Sequence, residues 1–390
     1  MSAGQGPGTG DERARRWRLV LGEPAGQPLG CTLSGADAGM DRALAAVYEP
    51  DQKRTAGLQG SAPKVARWLG DIRTYFPSSV VQVVQRDAVD RLGLKRLLLE
   101  PELLSSVEPD VHLVGTLLSL TKALPETTRA TAREVVRRVV EQIEARVADR
   151  TRSAVRGALD RSARTSRPRL SDVDWDRTIR ANLKHYQPEQ RTIVPERLIG
   201  HARRQQVVAR DVIFAVDQSG SMAASVVYSA VFGAVLASMR SLRTSLVVFD
   251  TSVVDLTEEL TDPVDVLFGT QLGGGTDINR AVAYCQGLVR RPADTLFVLI
   301  SDLYEGGVRE ELLRRVQALL DSGVQVLVLL ALSDEGRPAY DGELAAELAA
   351  LGVPSFACTP DAFPDLLAVA LARGDVGAWA QREQRAAMGR

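Results

Sequence analysis

The chain has 390 residues, of which 45% are hydrophobic and 25% charged, and its 48 lysines and arginines against 49 aspartates and glutamates give a formal net charge of −1. This length and composition suit a globular protein of two or three domains. Because the positive and negative charges almost cancel, general attraction to nucleic acid or to a membrane surface is not expected. The three cysteines, Cys31, Cys285 and Cys358, are an odd number without metal-ligand spacing, which predicts reduced, buried thiols in a cytoplasmic protein.

The first 60 residues are predicted to be disordered or irregular, with one helical patch around Asp41–Tyr48. Residues 1–15 are rich in glycine and polar residues before they become charged, so they lack the apolar core that a signal peptide requires. No later run reaches the roughly 18 uninterrupted apolar residues of a membrane span. We therefore expect no membrane segment.

An α-helical domain is predicted over residues 61–165. Its first part carries aromatic and apolar residues at helical spacing, which we interpret as core between helices: Trp68, Ile72, Tyr75 and Phe76. The longest helix is predicted within residues 131–158. Its apolar residues recur three or four positions apart and would form one face of an amphipathic helix: Val136, Val139, Val140, Ile143 and Val147.

Basic residues are concentrated along this long helix and just beyond it. Residues 129–170 contain 12 lysines and arginines but only 5 aspartates and glutamates. A solvated helix face followed by a flexible linker would explain the excess, and so would a surface that binds an acidic partner or nucleic acid. Because no aromatic residues are interleaved, stacking on nucleic-acid bases is disfavoured.

Residues 166–205 are predicted to be a linker that contains one bracing helix. Trp175, Ile179 and Leu183 recur every four residues after an acidic first turn, and we interpret this helix as a brace between the helical domain and the domain that follows. The histidines His112, His185 and His201 have no metal-ligand spacing and no neighbouring nucleophile motif. They are expected at the surface or at helix caps.

Strands and helices alternate over residues 206–375, which predicts an α/β domain with a mostly parallel central sheet covered by helices on both faces. Residues 376–390 are expected to form a C-terminal tail. The predicted parallel strands lie at 211–216, 244–250, 295–300, 325–330 and 354–357, with a short antiparallel edge strand near 253–256.

Polar side chains follow the first of these strands in a tight turn. Asp217, Ser219 and Ser221 come directly after a buried apolar run, at the carboxyl end of the strand, where open α/β sheets bind their ligands. One carboxylate and two hydroxyls from alternate residues can converge on a hard cation such as Mg²⁺. A plain strand-to-helix turn with Ser221 as the N-cap is the alternative interpretation.

Two further segments add polar groups to the same edge. Thr276 follows the glycines Gly273–Gly275 and precedes a predicted helix, and Asp302 follows the predicted strand 295–300. Glycines let the backbone approach a site closely. Because the carboxyl ends of parallel strands lie at one edge of the sheet, Asp302 is expected beside Asp217.

This pattern of Asp-x-Ser-x-Ser, a threonine after a glycine loop and an aspartate after a strand resembles the metal-ion-dependent adhesion site of von Willebrand factor A (VWA) domains. The resemblance implies a Rossmann-like VWA fold and a Mg²⁺ or Mn²⁺ ion ligated by the hydroxyls of Ser219, Ser221 and Thr276. It implies that Asp217 and Asp302 act through waters or through hydrogen bonds to those hydroxyls. It also implies that an acidic residue of a partner protein fills the open position on the ion.

Longer phrases narrow the resemblance to a bacterial cytosolic, CoxE-like VWA subgroup that is associated with MoxR-type AAA+ ATPases. These phrases include 217–222, 249–251, 255–257, 271–278 and 301–307, and the resemblance spans roughly residues 60–375. It implies a non-enzymatic adaptor or cofactor that couples such an ATPase to the remodelling of a client protein, or to metal insertion into it. No membrane partner and no nucleic-acid partner are expected.

Two enzymatic or ligand-binding alternatives are weaker. A Mg²⁺-dependent phosphohydrolase could use Asp217 as nucleophile, but such enzymes place a second acid/base carboxylate two residues later, where this chain has Ser219. A nucleotide-binding domain could use the loop Gly273–Gly275. That loop lacks the Lys-Ser/Thr of a P-loop and the spacing of a dinucleotide fingerprint.

Overall fold

A computed structural model describes residues 9–22, 25–48, 62–92, 98–99, 101–162, 164–165, 173–201, 210–270, 274–333 and 339–388. The chain divides into two compact units, Met1–Val139 and Val140–Arg390. Parts of the predicted N-terminal segment and linker, together with Gly273 of the glycine loop, lie outside the described residues.

The first unit is helical in its described part. Its helices are α1 (Thr9–Leu21), α2 (Gly26–Leu29), α3 (Gly35–Tyr48), α4 (Ala62–Tyr75), α5 (Ser78–Leu92), α6 (Pro101–Ser106) and α7 (Val111–Ser119). The next helix, α8 (Glu126–Ser162), begins in the first unit and ends in the second. All five residues of the predicted apolar face of α8 are buried.

Aromatic residues of α4 form part of the core of the first unit, as predicted. Trp68 and Ile72 are buried, and Trp68 Nε1 donates a 2.9 Å hydrogen bond to the carbonyl oxygen of Ala43. A Cβ at Gly39 would collide with the ring of Tyr75. Glycine at this position therefore allows α3 and α4 to pack closely.

The described part of the first 60 residues is helical, contrary to the expected irregular segment. Arg18 on α1 donates to both carboxylate oxygens of Asp41 on α3, at 2.7 and 3.1 Å. Glu12 also pairs with Arg15 and Arg16 one turn later on α1. The Arg18–Asp41 pair joins α1 to α3. The predicted helical patch around Asp41–Tyr48 lies within α3, whereas α1, α2 and the start of α3 were not predicted.

The second unit contains all the strands of the described chain. They are β1 (Arg164–Thr165), β2 (Tyr186–Gln187), β3 (Thr192–Ile193), β4 (Gly200–His201), β5 (Arg210–Asp217), β6 (Leu242–Phe249), β7 (Val253–Asp255), β8 (Thr295–Ile300), β9 (Gln325–Leu332) and β10 (Ser355–Cys358). One six-stranded sheet has the order β10-β9-β8-β5-β6-β7 and is parallel except for the edge strand β7. The predicted strands and the antiparallel edge are confirmed.

Helices alternate with these strands. They are α9 (Trp175–Ala181), α10 (Ala223–Ala237), α11 (Pro263–Gly269), α12 (Ile278–Leu288), α13 (Arg309–Asp321), α14 (Gly342–Ala350), α15 (Phe363–Leu371) and α16 (Val376–Met388). One face of the sheet packs on α12, α13 and α14 through a cluster that includes Ile213. On the other face the Phe363 ring of α15 lies 6.3 Å from the ring of Phe214 and 4.5 Å from that of Phe232 on α10. Consecutive residues of β5 thus face opposite helix layers, as the predicted fold requires.

The stretch Gly220–Ala237, which contains α10, is long and apolar enough to cross a membrane by composition. It is 67% buried within the protein, and α10 packs against the central strands β5 and β6. Burial in the core of the sheet domain therefore explains why this helix is apolar all round.

Helix α9 has its polar side inward. Thr178 and Asn182 are buried and hydrogen-bond to the backbone of residues 196–199. Trp175, Ile179 and Leu183, the residues expected to brace two domains, are 51%, 43% and 59% exposed. Two satisfied polar side chains hold this helix in place, and its apolar residues do not contribute to a core in the described residues.

Two of the arginines on α8 form ion pairs within the second unit. Arg146 donates to both carboxylate oxygens of Asp361 at 2.8 and 2.7 Å, and Arg150 pairs with Asp365 on α15 at 2.7 Å.

The expected C-terminal tail begins with helix α16, where the Trp379 ring lies 5.9 Å from that of Phe356 on β10. One buried tryptophan therefore fixes a segment whose sequence is otherwise polar.

Candidate metal centre

Two neighbouring parallel strands bring the first and last predicted metal residues together. Val216 on β5 is in register with Ile300 on β8, so Asp217 and the Ser301-Asp302 pair both lie at the carboxyl edge of the sheet. The amide of Gln218 donates to the carbonyl oxygen of Phe249 at 2.9 Å and fastens the turn after β5 to the end of β6. The site is therefore built on three adjacent strand ends.

Asp217 is fully buried, and both of its carboxylate oxygens accept hydrogen bonds. The amide of Ser219 donates to Oδ1 at 2.8 Å, and the hydroxyl of Ser301 donates to Oδ2 at 2.8 Å. This carboxylate therefore shapes the turn that presents the two serines.

The two serines continue the network to Asp302. Ser219 Oγ lies 3.2 Å from Ser221 Oγ, and Ser221 Oγ donates to Asp302 Oδ2 at 2.7 Å. Four of the five predicted residues are thus joined in one hydrogen-bonded chain.

Thr276 lies outside that hydrogen-bonded chain, in a loop whose backbone is fixed to the loops after β6 and β8. Its carbonyl oxygen accepts from the amide of Gly306 at 2.8 Å, and the next amide, that of Asp277, donates to the carbonyl oxygen of Asp250 at 2.8 Å. A Cβ on Gly306 would lie 2.7 Å from the Thr276 oxygen, so a larger residue there would push the two loops apart. The loop of Thr276 is therefore held between the ends of β6 and β8.

The electrostatics of the site are compatible with a bound cation. Burial raises the pKa of the Asp217 carboxyl, the nearby charge of Asp302 raises it further, and hydrogen bonds from Ser219 and Ser301 oppose both effects. Among the described residues, neither Asp217 nor Asp302 has a lysine or arginine as ion-pair partner. Two carboxylates at the edge of a buried site favour a positive ion between them.

The donor set fits Mg²⁺ or Mn²⁺. A magnesium ion with ligands at 2.0–2.1 Å in octahedral geometry places adjacent ligand oxygens about 2.9 Å apart, and the Ser219 and Ser221 hydroxyl oxygens are 3.2 Å apart. Because Ser221 gives its proton to Asp302, Ser219 Oγ is the donor in the contact between the two serines, and Ser221 Oγ keeps one lone pair for a cation. In the described residues no group of three or more His, Cys, Asp and Glu could hold a metal, so hydroxyl oxygens distinguish this site from a carboxylate or imidazole site.

Sequence reasoning missed two residues that support the site. Ser301 donates to Asp217 and accepts at 3.0 Å from the amide of Leu303. Leu303 is fully buried and has a positive φ of 67°, which is rare for a residue other than glycine. The position of Ser301 between a buried strand and Asp302 was the available signal; nothing in the sequence marked Leu303.

Comparison with known proteins gives one family match and one similar relative. Residues 146–367 match the family model described as VWA domain containing CoxE-like protein. The chain is 38% identical over 361 residues to Uncharacterized protein YehP of Escherichia coli (strain K12), which covers 91% of this chain and 95% of that protein.

Solved structures show more distant similarity. An aerotolerance-related membrane protein from Bacteroides fragilis NCTC 9343 is 15% identical and covers 43% of this chain and 99% of its own, with a TM-score of 0.31. The RO (RSR) protein of Deinococcus radiodurans is 14% identical and covers 93% of this chain and 74% of its own, also with a TM-score of 0.31. At TM-scores this low we infer nothing from either structure.

Proposed function

The chain belongs to the CoxE-like family of VWA domain proteins, and from this premise we propose that it is a Mg²⁺-dependent protein-interaction module without chemistry of its own. The observation that carries the proposal is the hydrogen-bonded chain from Asp217 through Ser219 and Ser221 to Asp302. It presents hydroxyl oxygens, backed by carboxylates, at the exposed edge of a rigid sheet.

In this proposal Ser219, Ser221 and Thr276 hold the ion through their hydroxyls. Asp217 and Asp302 orient those hydroxyls and balance the charge of the ion. When bound, Mg²⁺ supplies an open coordination position that takes a carboxylate oxygen. An Asp or Glu on a partner protein is therefore the expected ligand.

The partner that the CoxE-like resemblance implies is a MoxR-type AAA+ ATPase. We propose that the module couples this motor to a client protein that is remodelled or receives a metal. We place this activity in the cytoplasm because the chain resembles bacterial cytosolic VWA proteins.

The hydrogen bonds of Asp217 weigh against the phosphohydrolase alternative. A nucleophilic carboxylate needs one oxygen facing the substrate, whereas both Asp217 oxygens accept protein hydrogen bonds and the residue is fully buried. Ser219 also occupies the position where an acid/base carboxylate would act. Binding accounts for this geometry better than catalysis does.

Affinity capture with the full chain tests the proposal. Ser219→Ala combined with Ser221→Ala removes two hydroxyl ligands, and Ser238→Ala, at the far end of α10, is the matched control. A MoxR-type ATPase retained from native extract with Mg²⁺ and released by EDTA at constant salt is the expected result for wild type and control, and the double variant should retain none.

Titration with NaCl at constant Mg²⁺ separates the two candidate surfaces. Direct coordination depends little on ionic strength, whereas exposed charges are screened over a Debye length of about 8 Å at physiological salt. A complex that survives EDTA but dissolves in NaCl would assign the contact to the basic residues 129–170 and contradict the proposal.

A further inference from the structure

An exposed tyrosine lies between two loops of the proposed metal centre. Tyr304 is 54% exposed and follows Asp302 by two residues. Its amide approaches Asp302 Oδ1 at 3.5 Å, and Gly306, two residues further on, donates its amide to the carbonyl oxygen of Thr276 at 2.8 Å. The backbone of Tyr304 is therefore held on both sides by segments that carry metal residues.

The turn that places Tyr304 there is strained. Leu303 is fully buried and adopts a left-handed backbone with φ of 67°, held by the hydrogen bond from its amide to Ser301 Oγ. A residue other than glycine in the left-handed backbone conformation costs free energy, which the surrounding structure must offset. Leu303 is thus buried, whereas the side chain of the next residue, Tyr304, is exposed two positions after Asp302.

Charge around Tyr304 is mostly negative. The described segments that meet at this edge, 250–252, 274–280, 302–309 and 339–343, carry six carboxylates: Asp250, Asp277, Asp302, Glu305, Asp341 and Glu343. Their two cations, Arg280 and Arg309, already have partners. Arg280 donates to the carbonyl oxygen of Thr251 at 3.0 Å. Arg309 pairs with Glu347 at 2.8 Å, Glu343 at 3.5 Å and Asp341 at 3.9 Å, so among the described residues four of the six carboxylates have no basic ion-pair partner: Asp250, Asp277, Asp302 and Glu305.

We propose that Tyr304 is a specificity-determining residue, which selects partner segments whose metal-binding Asp or Glu has a lysine or arginine beside it. The inference rests on the proposed metal-dependent function and adds the chemistry of the neighbouring residue. A cationic side chain beside the carboxylate would lie over an aromatic ring in an acidic surrounding, where cation–π attraction and charge complementarity act together. A second acidic residue in the same place would be repelled.

The same charges make the ion necessary. Without the metal, the carboxylates at this edge that lack a basic partner among the described residues repel an approaching Asp or Glu, because Arg280 is engaged by Thr251 and Arg309 by Asp341, Glu343 and Glu347. A partner with several acidic residues in a row would gain one metal contact and meet repulsion from the rest. A partner segment with a single carboxylate and basic neighbours would gain the metal contact without this repulsion.

A peptide library tests this assignment. The probe is a set of peptides with one fixed central Asp and randomised flanking positions, applied to the immobilised full chain in Mg²⁺ and eluted with EDTA. We expect lysine and arginine to be enriched next to the Asp, and Tyr304→Ala to reduce that enrichment about two- to fivefold, the range for an exposed cation–π contact. Tyr304→Phe keeps the ring and should keep the enrichment.

The matched control is Tyr284→Ala. Tyr284 is 43% exposed on α12, and its hydroxyl donates to Asp255 at 2.9 Å, so its removal should leave the enrichment unchanged. Mg²⁺ calorimetry on Tyr304→Ala should match wild type, which separates loss of specificity from loss of the site.

Each other outcome has a definite meaning. Peptides released by EDTA without basic enrichment, or with the same enrichment in Tyr304→Ala, would overturn this inference and leave the proposed function intact. If no peptide is retained with Mg²⁺ and released by EDTA, the proposed function fails and this inference fails with it.

Discussion

The hydroxyl of Ser221 donates a 2.7 Å hydrogen bond to Oδ2 of Asp302, a residue 81 positions later in the chain. The bond crosses from the turn after β5 to the turn after β8 and joins the two ends of the proposed ligand set. It fixes the direction of the hydroxyl, so the oxygen is oriented as an acceptor before any cation binds. Preorganisation of this kind would help the proposed hydroxyl-rich site to bind a divalent ion with few charged ligands.

We predict weak, specific stabilisation by Mg²⁺ or Mn²⁺. An ion that binds only the folded chain raises stability by RT ln(1 + [L]/Kd), which is about 2.7 kcal/mol at one hundred times Kd. Calorimetry and thermal melts should show this response in wild type and in Ser238→Ala. Ser219→Ala combined with Ser221→Ala should abolish it, and an unchanged response in that double variant would show that the ion binds elsewhere.

Asp302→Asn should separate stability from metal binding. The amide can still accept a hydrogen bond from Ser221, and the change removes the like charge that raises the pKa of Asp217. We expect the metal-free free energy of unfolding to stay equal or to rise by up to about 1 kcal/mol, as is common when a functional site is neutralised. The Mg²⁺ response should disappear.

Urea denaturation in EDTA and in Mg²⁺ measures both effects of Asp302→Asn. A cooperative transition that collapses in EDTA would mean that the Asp302 charge has a structural role, and it would contradict our assignment.

The arrangement of the sheet domain followed from sequence because each buried strand stops abruptly at a polar residue. Val212–Val216 ends at Asp217, and 295–300 ends before Ser301 and Asp302, so the strand ends and two of the candidate metal residues were predicted together. The parallel register of β5 and β8 then places them side by side. A local pattern was sufficient because the site depends on strand ends and not on long-range detail.

Features that depend on unusual local conformation or on long-range polar contacts were not predictable. Leu303 has a side chain that disfavours positive φ, so its strained turn is visible only in three dimensions. Thr178 and Asn182 anchor α9 through backbone partners about 15–20 residues away, whereas periodicity directed attention to its apolar side. Hydrophobic patterning identifies which residues can be buried, and α9 shows that polar residues with satisfied hydrogen bonds can take that place.

No phosphoesterase activity is expected from the chain alone. Asp217 is fully buried, and both of its oxygens accept hydrogen bonds, from Ser219 and Ser301, so we expect neither oxygen to reach a phosphorus atom. Assays with p-nitrophenyl phosphate and nucleotides in Mg²⁺ should give rates at background. A turnover number near the typical enzyme value of about 10 s⁻¹ that is lost in Asp217→Asn would establish the opposite.

Thiol reactivity should divide the three cysteines into two classes. Cys285 and Cys358 are buried, and burial raises the pKa of the Cys285 thiol to about 12, so little thiolate forms near neutral pH. Cys31 is half-buried, which differs from the expectation that all three are buried. A thiol reagent should therefore modify one cysteine in the native protein and three after denaturation, and Cys31→Ser should remove the fast phase.

The ion pair between Arg146 on α8 and Asp361 before α15 should contribute a small, pH-dependent stability. Arg146 lowers the pKa of the Asp361 carboxyl through its hydrogen bond. A carboxyl with a lower pKa in the folded state stabilises the fold above its unfolded pKa of about 3.9 and loses that contribution as the pH falls through the folded value. Arg146→Ala should therefore destabilise at neutral pH and make no difference in strong acid.

The expected size of the effect of Arg146→Ala is below about 1 kcal/mol, because both side chains are well exposed, at 41% and 55%. Urea denaturation of wild type, Arg146→Ala, Asp361→Ala and the double variant gives the coupling energy directly. That energy should decrease with added NaCl, and Arg138→Ala, an exposed arginine on the same helix, controls for general loss of charge. A coupling that persists at the lowest pH would show that packing of the arginine stem, and not the charge of Asp361, is what joins α8 to the sheet domain.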